Sequence, residues 1–183
     1  MMPEISLNIL DVAQNSVTAG ALLTEIAITI DTSADTMELV ISDNGCGMTQ
    51  EQADKVADPF YTTRTTRKVG LGIPFLKMAA EFTGGYCRLE SQLGIGTKTT
   101  AVFGLTHIDR MPLGDIASTM TTLIGPKPDI DFILRYSVDG AEFVMDTREL
   151  RVVLDGVPFS EPEVLEFITG YINENIDALG KRW

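Results

Sequence analysis

The chain is short of cysteine, histidine and positive charge, and each shortage removes a class of protein. Two cysteines in 183 residues, Cys46 and Cys87, are too few for a disulfide framework and lack the paired spacing of a metal site. Reduced thiols remain. Fourteen Lys and Arg stand against 26 Asp and Glu, and the resulting net charge of −12 repels phosphate backbones and anionic lipid. Nucleic acid is therefore not an expected partner. No apolar run approaches the roughly 18 residues a membrane-spanning helix needs, and the opening MMPEIS has no basic segment of a secretory signal. The expected compartment is the cytoplasm, away from the membrane. What is present is globular: with 44% hydrophobic and 22% charged residues, enough apolar surface exists to offset the entropy of ordering. The length suits one domain with or without an appendage.

Helical spacing of Ile5, Ile9, Leu10, Val12, Ala13 and Val17 predicts an amphipathic helix from Pro3 to about Thr18, with Gly20 placed to stop it. TEIAITID (Thr24–Asp31) and MELVISD (Met37–Asp43) read as an antiparallel strand pair. Thr49, followed by Glu51 and Gln52, opens a helix to Ala57, and Asp58-Pro59 ends it. After a Thr- and Arg-rich loop, Pro74 suits the first turn of a helix through Glu81, closed by Gly84-Gly85. Strands Tyr86–Ser91 and Thr97–Leu105 flank the turn QLGIG. Beyond a boundary near His107 a second set begins: a helix around Ile116–Leu123, a hairpin of Asp131–Val138 and Ala141–Thr147 turning at Asp139-Gly140, and helices about Arg148–Leu154 and Glu161–Leu179. This divides the chain into 1–106 and a C-terminal α+β extension, 107–183.

Three constellations carry chemistry. Asn8, Asp11 and Asn15 share one face of the first helix, opposite its apolar stripe, which describes either a solvated face or a convergent ligand set. In the second reading Asn15 offers a carbonyl oxygen to Mg²⁺, a hard ion that takes oxygen ligands and keeps several waters. At the end of the second strand, Asp43-Asn44-Gly45-Cys46-Gly47 places a carboxylate before two glycines. That pattern is an ordinary loop turn or a pocket, and a carboxylate there accepts from an adenine amino group where guanine presents a carbonyl. Cys46, with no base or metal set beside it, reads as small packing. Third, Arg64, Arg67 and Lys68 precede Gly70 and Gly72 in DPFYTTRTTRKVGLG, which describes an exposed basic loop or a triphosphate site at a helix start. Thr97, after Gly94-Ile95-Gly96, is an ordinary strand threonine or a hydroxyl for a purine.

In combination and in this order, the helix with Asn15, the strand-end Asp-x-Gly-x-Gly, the aromatic-Thr-Thr-Arg loop, the Gly-x-Gly helix start and the Gly-x-Gly-Thr turn resemble the GHKL ATP-binding domains over about residues 4–105. QNSVTAGA and DNGCGM are similar to the mismatch-repair branch, and DPFYTTR, GLGIPFLK and GIGTKTTAVF to the histidine-kinase branch. The resemblance implies a Bergerat-type two-layer α/β sandwich, an α+β fold with a mixed sheet covered by helices. It implies ATP and Mg²⁺ under a lid of about Tyr61–Gly72. Carried over by position, Asn15 binds Mg²⁺ and phosphate, Asp43 holds the adenine amino group, Gly45 and Gly47 shape the adenine pocket, and Thr97 supports the purine. Phe60, Arg64, Arg67, Lys68, Gly70, Leu71 and Gly72 line the lid and the phosphates. Asp11 stands where the ATP-hydrolysing branches have a glutamate that activates water, one methylene longer, and is the candidate general base. No histidine precedes Asp11, so histidine autophosphorylation is not expected. The expected activity is that of a nucleotide switch acting on a protein partner; the alternatives are a slow ATPase or an anti-sigma-like protein serine/threonine kinase. Partner identity and oligomeric state are not encoded in any motif.

Overall fold

Alternation in the strands and a helical stripe in the first segment sort the residues onto two layers. In a computed structural model describing residues 2–56, 72–180 and 183, Ile5–Thr18 forms α1, whose Ile5, Ile9, Val12 and Ala13 are buried. Leu23–Asp31 (β1) buries Thr24, Ile26, Ile28 and Ile30, and Thr36–Asp43 (β2) buries Met37, Leu39 and Ile41; the residues between them face the other way. Gln50–Val56 (α2) opens on a reciprocal cap, with Thr49 N donating to Gln52 Oε1 at 2.9 Å and Gln52 N to Thr49 Oγ1 at 3.3 Å. Gly72–Phe82 (α3) carries Pro74 in its first turn, as expected, and runs one residue past Glu81. Tyr86–Gln92 (β3) and Gly96–Gly104 (β4) then form the second antiparallel pair.

After the connection come Ile116–Ile124 (α4), the hairpin Asp131–Val138 (β5) and Ala141–Asp146 (β6), Thr147–Val153 (α5) and Pro162–Ala178 (α6). The hairpin turns at Asp139 and Gly140, both with positive φ (49° and 87°), as the Asp-Gly pair predicts. Its strands continue the same sheet. The order is β3-β4-β2-β1-β5-β6, antiparallel except where β5 runs parallel to β1, from Leu23 opposite Asp131 to Ile30 opposite Val138. Helix-facing residues of both halves form one apolar core, from Ile5 and Leu76 to Phe132, Leu134, Ile168 and Ile172. This is the expected two-layer α+β sandwich.

The connection also clasps the first helix. Ile5 N donates to Pro112 O at 3.0 Å and Ser6 N to Leu113 O at 2.8 Å, occupying amides that a helix start leaves unpaired. With α3 and α4 both packed against α1, the face bearing Asn8 is not solvated: Asn8 is fully buried, and Asp11 and Asn15 are half-buried. The exposed side of α1 is instead that of Leu7, Gln14 and Thr18, which its own periodicity does not reveal.

Candidate functional site

Across one end of the sheet the buried residues change from apolar to polar. Thr97 of β4, Asp43 of β2 and Thr24 of β1 are consecutive register partners on the helix-facing side. Phe132 of β5, the next position in the row, is fully buried and ends the polar run. Ser16, one residue after Asn15 and 3% exposed, donates its hydroxyl to Asp43 Oδ2 at 2.6 Å, while Gly45 N donates to Oδ1 at 2.9 Å. The two bonds fix the carboxylate and leave lone pairs on both oxygens for a further donor. Ser16 is a site residue the sequence reading missed. Its signal was a hydroxyl on the apolar stripe, four residues after Val12, where a Val or Leu was to be expected.

A cavity of about 650 Å³ opens beside this carboxylate, within the size range of small-molecule sites. Val12, Ile41 and Ile73 give it apolar walls, and Asn15, Asp43 and Thr97 give it polar groups. Gln52 and Val56 of α2 close another side. Thus Asn15, Asp43, Gly47 and Thr97, distant in sequence, are brought to one space.

The loop after β2 is held on three sides. Asn44 Oδ1 accepts from Leu22 N and Leu23 N, both at 2.9 Å. Cys46 N donates to Ala19 O at 2.9 Å, and Gly94 N to Cys46 O at 2.8 Å. Gly47 has φ +62°, and a Cβ there would stand 2.0 Å from Gln92 O, so both the angle and the backbone contact require glycine. Gly45 is wedged between Ala19 and Asp43. Ser91 ties the loop to the strands: its hydroxyl accepts from Met48 N at 2.9 Å and lies 2.9 Å from Thr97 Oγ1. Cys46 is not packed as expected. It is exposed on the cavity rim, because its backbone, rather than its side chain, makes the contacts of the loop. Cys87, by contrast, lies under α3, and burial pushes its thiol up to about 11.

Asp11 sits one turn before Asn15 and is not among the described residues lining the cavity. It meets the start of α3: a Cβ on Gly72 would lie 2.8 Å from Asp11 Cβ. Glycine thus lets the N-terminus of α3 close on α1. Phe60, Arg64, Arg67, Lys68, Gly70 and Leu71 lie outside the described residues, as does the lid apart from Gly72.

An apolar-walled cavity with a fixed carboxylate at a strand end, beside a helix start, has the size and lining of a small-molecule binding site. Residues 4–107 match the family described as histidine kinase-, DNA gyrase B- and HSP90-like ATPase. The match covers more than half of the chain, which belongs to this family and carries its ATP-binding domain. Among its relatives, the sensor protein SrrB of Staphylococcus aureus is 36% identical over 101 residues, 52% of this chain and 17% of SrrB. The chain therefore spans less than a fifth of that relative's length. The MutL ATPase domain of Aquifex aeolicus, solved in complex with ADP, is similar in fold, with a TM-score of 0.52 at 13% identity over 85% of this chain and 70% of that one. Among the described residues no helix is long and apolar enough to cross a membrane.

Proposed function

We propose that the chain is an ATP·Mg²⁺-binding regulatory protein, a nucleotide switch whose lid, about residues 61–72, acts on a protein partner in the cytoplasm. The observation that carries this reading is the fixed Asp43 carboxylate on the cavity wall, with Ser16 and Gly45 as its donors. Its remaining lone pairs accept the adenine amino group, and a guanine carbonyl at the same place is repelled. Gly45 and Gly47 shape the adenine pocket, and Thr97 supports the purine directly or through water. Asn15 offers its side-chain oxygen to Mg²⁺, which fits an ion held by one or two protein oxygens together with phosphates and water. When bound, the ion supplies neutralising charge at the phosphates. Phe60, Arg64, Arg67, Lys68, Gly70, Leu71 and Gly72 take the phosphates and form the lid. Family membership supports the nucleotide.

Such a switch works only if the nucleotide prefers one lid conformation to the other. The segment 107–183 is assigned as an extension of unknown role beside the nucleotide domain 1–106, and the acidic charge argues against nucleic acid as the partner. Limited proteolysis tests the lid: cleavage near Arg64–Lys68 slows when ATP and Mg²⁺ are added, and a rate indifferent to nucleotide rejects it. The second reading, a slow ATPase or an anti-sigma-like protein serine/threonine kinase, rests on Asp11, one turn before Asn15 at the position of the family's water-activating glutamate. Loss of a measurable hydrolysis rate in Asp11→Asn supports the ATPase, phosphate transfer to a purified partner supports the kinase, and background turnover in both chains leaves the switch.

A further inference from the structure

Among the described residues the sheet ends on one side at β3, a seven-residue strand packed by α2 and α3, without proline or lysine, whose register with β4 is unbroken from Tyr86 to Gln92. Exposed edges are usually blunted by such residues, by bulges or by a covering element, because an open edge recruits another strand. The backbone orientation follows from two bonds. Gly104 N donates to Thr83 Oγ1 on the β3 side, and Leu105 N donates to Asp35 O on the β2 side. Alternation along the ladder turns Tyr86, Arg88, Glu90 and Gln92 toward β4 and leaves the amides and carbonyls of Cys87, Leu89 and Ser91 facing outward.

We propose that β3 pairs antiparallel with β3 of a second copy of this chain about a two-fold axis at Leu89, joining two six-stranded sheets into one. The strand is self-complementary in that register. Leu89 meets its own equivalent, Cys87 meets Ser91 in both directions, and these outward groups form the hydrogen-bonded pairs. Arg88 then stands opposite Glu90 of the other copy, twice, on the helix-free face at the closer, non-hydrogen-bonded spacing. Shifting the axis to Arg88 or to Glu90 preserves the backbone pairing but places like charges opposite each other. Charge therefore selects this register. Neither residue has an ion-pair partner among the described residues; Arg88 lies over the Tyr86 ring at 5.9 Å, and Glu90 faces Lys98 across the ladder without a close contact. The opposite edge differs. The only charged residues of β6, Glu142 and Asp146, are both acidic, so no antiparallel self-pairing there matches charges. The symmetric arrangement is the self-matching patch of a closed dimer.

Sedimentation equilibrium of the full chain tests the pairing with Arg88→Glu, Glu90→Arg and the double exchange, all on the helix-free face. The parent should show a reversible monomer–dimer equilibrium, and each single reversal should raise its dissociation constant roughly tenfold or more. The double exchange should restore association. Mixing the two single variants should do the same, since the paired carboxylates of the Arg88→Glu chain then face the paired guanidinium groups of the Glu90→Arg chain. Melting curves identify any reversal that damages the fold through Lys98. A parent that is monomeric at all concentrations, single reversals without effect, or variants that stay dissociated when mixed would overturn the proposal.

Discussion

The two halves of this chain share one sheet and one core but treat the same end of the sheet in opposite ways. In the half that matches the ATPase family, the row Thr97, Asp43 and Thr24 turns polar groups inward beside a cavity. In the other half the row continues as Phe132, fully buried, and the equivalent space is filled. Hydrogen-bonded scaffold and cavity are therefore separable. β5 extends the ladder from β1 through eight register pairs without extending the cleft. The same contrast appears in the glycines: Gly47 is fixed by backbone 2.0 Å from where its Cβ would stand, whereas Gly170 of α6 has nothing within 4 Å.

This contrast can be broken at its seam. Phe132→Ala removes an aromatic ring from the shared core and should cost about 3–5 kcal/mol. Because the core is continuous, thermal unfolding should remain one transition at lower temperature; a separate melt of the C-terminal half would show that the halves are independent. Within the site half, Asp43→Asn should weaken nucleotide binding by about 1–3 kcal/mol, since an amide presents a donor where two donors already point, and calorimetry reads the loss. The thiols sharpen the map of the cleft. Cys46 on the rim should alkylate roughly tenfold or more faster than Cys87, whose thiol at about 11 stays protonated near neutrality and reacts faster only as pH rises. ATP should slow labelling of Cys46 alone, as measured by intact-mass kinetics. The smallest effect is expected far from the cleft: Gly170→Ala should stabilise α6 by about 0.5–1 kcal/mol, read as a higher melting temperature with unchanged nucleotide affinity.

Much of the architecture was legible because its signals are local. Alternation in Thr24–Asp31 and Met37–Asp43, the Asp139-Gly140 turn and the Thr49 cap lie within a few residues of the structure they specify. The parallel pairing of β1 with β5 joins residues such as Ile26 and Leu134, over a hundred positions apart, and no period in either strand announces the other. Burial of Asn8 depends on α3 and α4 arriving from later in the chain. In the site, Asn15, Asp43, Gly47 and Thr97 stood out by residue type and spacing, and the fold brings them to one cavity. Ser16 and Ser91 did not, because a serine becomes informative only when its bond partner, Asp43 or Met48, is placed beside it. The exposure of Cys46 was hidden for the same reason: its loop is held by backbone groups of Ala19 and Gly94.

The central claim is that the carboxylate of Asp43 reads the edge of a purine. Calorimetric titration of the intact chain with ATP and with GTP, each with Mg²⁺, tests it most directly. The account predicts that ATP binds at least about tenfold more tightly than GTP, the size of one well-placed buried hydrogen bond, and that Asp43→Asn narrows the gap. Equal affinities for the two nucleotides in the parent chain would contradict it.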